Sequence, residues 1–107
     1  MTAILKVSPD VKINTTSDAL DLIANSGTSQ IILWQESLSP NFFDLKTGLA
    51  GEIMQKLVNY QVKWALVGNF ENIPSKSLKA FILECNRGNT LFFAKDLREA
   101  ENLLENN

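Results

Sequence analysis

The stretch Ile31-Ile32-Leu33-Trp34 consists of four apolar residues in a row, with no polar residue between them. Two similar runs follow along the chain, at Trp64–Val67 and Leu91–Ala94. Short apolar runs of this kind are typical of strands that are buried on both faces. Segments with helical periodicity separate the runs, so the chain from Gln30 onward predicts alternating strands and helices. Such alternation favours parallel strand pairing through right-handed crossovers.

The segment before the first run predicts a helix and a small pair of strands. The helix is expected to begin near Ser17 and to end at Gly27, a residue type that commonly terminates helices. Ile4–Val7 and Val11–Ile13 are short and alternate in polarity, and turn-forming residues separate them. We therefore expect these two stretches to form an edge hairpin.

Three more helices are expected after the first run. The longest extends from about Asp44 to Asn59, the next begins at Ser75 as its N-cap, and the last opens with Asp96. The predicted fold class is a single α/β domain over residues 1–107, built as a sandwich. Its mostly parallel central sheet has about four to five strands with the N-terminal edge hairpin, and about four helices pack on it.

Composition restricts the function classes. The chain has 107 residues, and 10 basic against 12 acidic side chains give a net charge of -2. This balance gives no electrostatic reason to expect nucleic acid or an anionic membrane as a partner. No apolar run approaches the length of about 18 residues that a membrane span needs. A cytoplasmic location is therefore expected.

The supply of reactive side chains is small. Histidine is absent and Cys85 is the only cysteine, so histidine triads, an internal disulfide and a thiolate zinc site are excluded within one chain. The helical phase of Cys85 places it on a packed face, where a thiol behaves as a small hydrophobe. The loop after Val67 lacks the glycine pattern of dinucleotide-binding proteins. We expect neither a metal nor a cofactor.

Polar residues follow the predicted strands where these end. Glu36 comes soon after the first buried run, and Asn69 comes soon after the second. The predicted helix starts add four more polar residues: Asp44, Lys46, Thr47 and Ser75. Because carboxyl ends of parallel strands and the following helix N-termini meet at one edge, we expect a polar site there. Such a site would hold a small anion or the side chains of a protein partner.

Lys46 is the least expected residue of the longest predicted helix. Its helical phase places it among apolar positions, where a buried unpaired ammonium would be costly. Either the first turn is irregular or Lys46 points past the core. Pairing with Glu36, as a structural salt bridge or as part of a site, is a further alternative.

A purely structural interpretation competes with the predicted site. Asp44 would then be only an N-cap, while Gly48 and Gly51 would only allow close packing of the helix on the sheet. Glu52 and Lys56 have the spacing of an exposed helical ion pair.

The stretch Asp44–Ile53, with Phe42 and Phe43 before it, reads Phe-Phe-Asp-Leu-Lys-Thr-Gly-Leu-Ala-Gly-Glu-Ile. It resembles the signature of an uncharacterised bacterial family, domain of unknown function 4180. Three further stretches extend the resemblance over most of the chain: Ser17–Ala24, Leu66–Phe70 and Ser75–Phe81. The resemblance implies no assigned activity. The N-terminus is shorter than is usual for the family, which implies a reduced or missing edge strand.

A more distant resemblance is to STAS domains, the fold of anti-sigma-factor antagonists. Their regulatory site is an Asp, Ser, Ser, Gly step at the start of a helix that follows a central strand. In this chain Thr47 would take the place of the phosphorylatable serine. One extra residue lies between Asp44 and Gly48, and Lys46 replaces a small hydroxyl residue.

Three functions therefore compete. The first is a non-enzymatic STAS-like interaction or regulatory module whose working surface is centred on the start of the long helix, around Asp44–Gly51 and including Gly48. The second is a small enzyme or anion-binding protein that uses Glu36, Asp44 and Lys46 in a crevice. The third is a homodimer that assembles through the edge of the sheet.

Overall fold

A computed structural model of the chain describes residues 3–105, which form a parallel sheet with helices on both faces. The strands are β1 (Ile4–Lys6), β2 (Gln30–Trp34), β3 (Lys63–Val67) and β4 (Leu91–Ala94). The α-helices are α1 (Thr16–Ser26), α2 (Pro40–Phe43), α3 (Leu49–Tyr60), α4 (Lys76–Arg87) and α5 (Leu97–Glu105). Two 3-10 turns flank α2, at Gln35–Ser37 and Leu45–Thr47. No helix in this part of the chain is both long and apolar enough to cross a bilayer.

The strands lie in the order β1-β2-β3-β4, and each pair of neighbours is parallel. In the central register Ile31 lies beside Trp64, and Trp64 lies beside Leu91. The predicted α/β class with a parallel central sheet is therefore confirmed. All three apolar runs form strands, and the four residues of β4 are fully buried.

The predicted edge hairpin is wrong. Residues 4–6 pair with β2 in parallel, while Ile13 forms an isolated parallel bridge with Leu38. The physical reason is burial: Val7 and Ile13 are 7% and 1% exposed because each packs on the main core, which a hairpin paired only with itself would not provide. β1 is a short edge strand of three residues.

The two faces of the sheet carry different layers. The larger core contains buried residues of α1, α3 and α4, including Ile23, Ile53 and Ile82, packed with alternate residues of the strands. The smaller core lies on the other face, where Ala100 and Leu104 of α5 pack. Strand order follows chain order and the three connecting helices share one face, so the described strands contain no point where the order reverses. Such a reversal is where ligand crevices of open α/β sheets usually form.

Three helix starts follow local sequence signals. At α1, the Thr15 side chain accepts a hydrogen bond from the Asp18 amide, and the Asp18 carboxylate accepts one from the Thr15 amide. Before α4, Ser75 Oγ accepts a bond from the Leu78 amide at 3.2 Å. Asp96 caps α5 in the same way, as expected. The predicted end of α1 at Gly27 is also confirmed, since the helix ends at Ser26 and Gly27 follows it in a left-handed conformation.

The predicted start of the longest helix at Asp44 is wrong. Helix α3 begins at Leu49, and residues 45–47 form a separate 3-10 turn that ends at Gly48. Gly48 has a φ of 78°, a left-handed conformation that interrupts the helical path. Lys46 is exposed in this turn. Both explanations offered for its apolar phase therefore hold: the first turn is irregular and Lys46 points past the core.

Candidate functional site

The candidate residues cluster in the connection between β2 and α3, residues 35–48, called here the β2–α3 segment. An aromatic residue anchors it: Phe42 is 1% exposed and belongs to the larger core. The Phe43 ring packs edge-on against Phe42, with ring centroids 5.1 Å apart. Burial of large aromatic side chains is a strong constraint on backbone position. The segment is therefore fixed to the core although it contains only one four-residue helix and two 3-10 turns.

Aromatic contacts also join the β2–α3 segment to the connection between β3 and α4, residues 68–75, called here the β3–α4 loop. The Phe43 ring lies 6.3 Å from that of Phe70, and Phe70 packs edge-on against Phe93 of β4 at 5.1 Å. Phe93 in turn contacts Phe81 of α4. At the carboxyl ends of the strands, rings thus connect elements where the sequence predicted polar groups.

Polar side chains stabilise the turn that precedes α3. Asp44 Oδ1 accepts a hydrogen bond from the Lys46 amide at 3.2 Å. Thr47 Oγ1 lies 2.6 Å from the carbonyl oxygen of Asn41 and 2.8 Å from that of Asp44, and accepts a bond from the Leu49 amide. The Thr47 hydroxyl therefore joins α2 to the start of α3. The N-cap interpretation of Asp44 holds for the 3-10 turn and not for α3.

The two glycines of the predicted site have different roles from those expected. A Cβ atom placed on Gly48 or on Gly51 would meet no atom within 4 Å. The interpretation that they allow close helix-to-sheet packing is therefore wrong. Gly48 is explained by its positive φ, whereas Gly51 lies exposed in the first turn of α3.

Gly68 is the glycine that close approach does require. The sequence places Gln35 and Gly68 after neighbouring strands, at the same polar edge, but it does not predict the contact between them. A Cβ on Gly68 would lie 2.4 Å from Gln35 Oε1 and 2.5 Å from Gln35 Cβ. The same Oε1 accepts a hydrogen bond from the Asn69 amide at 3.0 Å. Gln35 thus joins the ends of β2 and β3. The available signal was a glycine directly after a buried strand, which marks a close neighbour.

Glu36 and Lys46 do not form the predicted salt bridge. Both are exposed, and neither makes an ion pair within residues 3–105. The backbone carbonyl of Glu36 accepts a hydrogen bond from Lys12 Nζ at 3.0 Å. The expected Glu52 and Lys56 ion pair is also wrong, because the Glu52 carboxylate accepts a bond from the Thr16 hydroxyl.

Glu36 lies beside an open groove of about 500 Å³ at the ends of β2 and β3. The other lining residues are Trp34, Gln35, Val67 and Gly68. The lining does not include Asp44, Lys46 or Thr47. The structure therefore places Glu36 in one groove and the other three residues on a neighbouring exposed turn.

The remaining predicted site residues, on the β3–α4 loop, have local structural partners. Asn69 is exposed, and its side-chain oxygen accepts a bond from the Glu71 amide. Ser75 caps α4. Neither joins the exposed turn at Lys46, and their binding roles remain predictions.

Other reactive groups do not extend the site. Burial, with a smaller contribution from Glu84, raises the pKa of the Cys85 thiol to about 11, so the thiol is neutral at physiological pH. Its expected place on the packed face of a helix is confirmed, since it is 2% exposed.

Ser37 and Ser39 bury side-chain oxygens without a hydrogen-bond partner. Residues 3–105 contain no group of three or more acidic or cysteine side chains able to hold a metal ion.

Comparison with known proteins identifies the chain at the level of its family. No curated protein and no solved structure is significantly similar to it. A family model described as a domain of unknown function, DUF4180, matches residues 2–104, almost the whole chain. The stretches quoted from the sequence, including Asp44–Ile53, all lie within this match. The chain therefore belongs to the DUF4180 family.

Proposed function

We propose that this chain is a non-catalytic, cytoplasmic interaction or regulatory module, STAS-like in its role, that contacts a protein partner through the exposed turn before α3. One observation carries this proposal: polar side chains face solvent on a segment whose inner side is fixed to the core. Asp44, Lys46 and Thr47 are exposed, while Phe42 of the same segment is 1% exposed. A preorganised surface of this kind loses little conformational entropy when a partner binds.

The separation of the charged groups favours binding over catalysis. The enzyme considered from the sequence needs Glu36 and Lys46 in one crevice that excludes water around the reacting atoms. Glu36 lies beside an open groove, and Lys46 is exposed on a turn that does not line it. This arrangement gives no support to an enzyme that uses both. It suits contact with complementary charges on a protein surface.

Thr47 supplies a means of regulation in the same proposal. Its hydroxyl lies between two carbonyl oxygens, those of Asn41 and Asp44. A phosphate would replace the hydroxyl donor with negatively charged oxygens, which those carbonyls repel. Phosphorylation would therefore open the turn and change the exposed surface around Lys46.

The test uses photo-crosslinking from chosen positions of the chain produced in its own cells. A photoreactive amino acid replaces Lys46, and the matched control carries it at Lys79, an exposed lysine of α4. We expect a discrete crosslinked protein from position 46, lost when Thr47→Glu is added, and none from position 79. Identical crosslinks from both positions, or none from position 46, would contradict the proposal.

A further inference from the structure

Two features of β4 favour association with another copy of the chain: its apolar, β-forming sequence and its position at the edge of the sheet. Its sequence, with the residue before it, is Thr90-Leu91-Phe92-Phe93-Ala94, which has strong β-forming and apolar character and no charge or proline. Such segments pair readily with copies of themselves when their edge is open. Within residues 3–105, β4 is the last strand of the sheet and pairs on one side only, with β3.

The backbone groups that face the open side of β4 belong to Leu91 and Phe93. The carbonyls of Thr90 and Ala94 accept bonds from the Trp64 and Gly68 amides, so even-numbered residues of this strand direct their backbone towards β3. Alternate residues of a strand direct their backbone groups to opposite sides, which leaves those of Leu91 and Phe93 facing outward. Leu91 is 0% exposed and Phe93 is 3% exposed, so Phe93 is the outward-facing residue that solvent still reaches. An unpaired amide and carbonyl at this position would offer a template to a second strand.

The Asn86 side chain forms hydrogen bonds with both the amide and the carbonyl of Phe93. Its Oδ1 accepts a hydrogen bond from the Phe93 amide at 2.8 Å, and its Nδ2 donates one to the Phe93 carbonyl at 3.1 Å. A carboxamide has the same donor and acceptor as a peptide group, so Asn86 satisfies Phe93 as a neighbouring strand would. Asn86 lies near the end of α4, which fixes it beside the edge.

We propose that Asn86 is a guard residue: its carboxamide takes the place of a neighbouring strand at Phe93 and prevents β4 from pairing with β4 of a second copy of this chain. This proposal is independent of the proposed function. The opposite edge is protected differently, since β1 has three residues and carries the exposed Lys6. Short edge strands and edge lysines are common devices against pairing.

The first measurement is hydrogen exchange of the Phe93 amide by NMR in the wild-type protein. A guarded edge predicts slow exchange at Phe93, and loss of the two bonds in Asn86→Ala predicts exchange about tenfold faster at this amide. Asn89→Ala removes a nearby exposed carboxamide and is expected to leave the Phe93 amide unchanged. Rapid exchange at Phe93 in the wild type would overturn the proposal even if no variant folds.

The second measurement is sedimentation velocity over a range of protein concentrations. Asn86→Ala and Asn86→Asp are both expected to form larger species as concentration rises, because neither can satisfy both groups of Phe93. Ile82→Val, a buried change on the same helix, controls for simple loss of stability. If the Asn86 variants stay in the wild-type state, or associate no more than Ile82→Val at matched stability, the guard role is wrong.

Discussion

Two helices start at the same end of the sheet, α3 after the β2–α3 segment and α4 after the β3–α4 loop. α4 needs one capping side chain, that of Ser75, directly before its first turn. α3 is preceded by a four-residue helix and two 3-10 turns, and its start depends on Thr47 and on the positive φ of Gly48. A short connection with a single cap is thus sufficient for this fold. The additional ordered structure before α3 is therefore more than a connection from a strand to a helix start requires.

The largest expected effect tests whether Phe42 anchors that additional structure. Phe42→Ala should lower the free energy of unfolding by about 3–5 kcal/mol, because it removes a fully buried aromatic ring from the larger core. Phe70→Ala, which removes a half-buried ring of the β3–α4 loop, should cost clearly less. Urea denaturation of both variants measures the difference. Equal losses would mean that the β2–α3 segment is no better anchored than the β3–α4 loop.

The next effect tests the link between the two connections. Gly68→Ala should cost about 1–3 kcal/mol, since the new Cβ would lie 2.4 Å from Gln35 Oε1 and force that side chain to move. Gly88→Ala is the matched control, because its nearest atom is an ordinary 3.5 Å away. Denaturation measures stability, and NMR shifts of the Asn69 amide report on Gln35. An unchanged Asn69 amide in Gly68→Ala would show that Gln35 does not hold the two strand ends together.

The contrast between the two helix starts also explains how much the sequence predicts. The parallel sheet and the starts of α1, α4 and α5 were predicted correctly, because buried runs and caps act over a few neighbouring residues. The start of α3 was not, because apolar residues such as Leu45 fit helical spacing although the backbone turns away at Gly48. Whether a glycine serves conformation or packing depends on neighbours distant in sequence.

The candidate site was predictable in part for the same reason. The order of strands and helices along the chain places Glu36, Asp44 and Lys46 near one edge of the sheet. It did not determine which side chains share a groove, because that depends on turn geometry. The Gln35 contact with Gly68 follows from strand register, which a single sequence does not specify.

The next prediction, of a smaller effect, compares the hydroxyl groups of Thr47 and Ser75, which form hydrogen bonds at the starts of α3 and α4. Thr47→Val removes bonds to two carbonyl oxygens and to the Leu49 amide while preserving side-chain shape, so a loss of about 1–2 kcal/mol is expected. Ser75→Ala removes a single capping bond and should cost about 1 kcal/mol. Exchange of the Leu49 and Leu78 amides separates the local consequences. If both variants lose only the stability of one cap, Thr47 is no more than an ordinary cap.

The smallest effects have opposite signs and come from two glycines in one short stretch. Gly48→Ala should destabilise the protein by about 1 kcal/mol, because an L-residue at a φ of 78° is strained although the space is free. Gly51→Ala should stabilise it by about 0.5–1 kcal/mol, because Gly51 has helical conformation, free space for a Cβ and high chain entropy when unfolded. Thermal unfolding of the two variants measures both signs.

If Gly51→Ala leaves the fold intact but weakens crosslinking from position 46, the small residue serves contact with the partner. If Gly48→Ala costs nothing, α3 does not need the left-handed turn, and the difference between the two helix starts lies in the Thr47 hydrogen bonds alone.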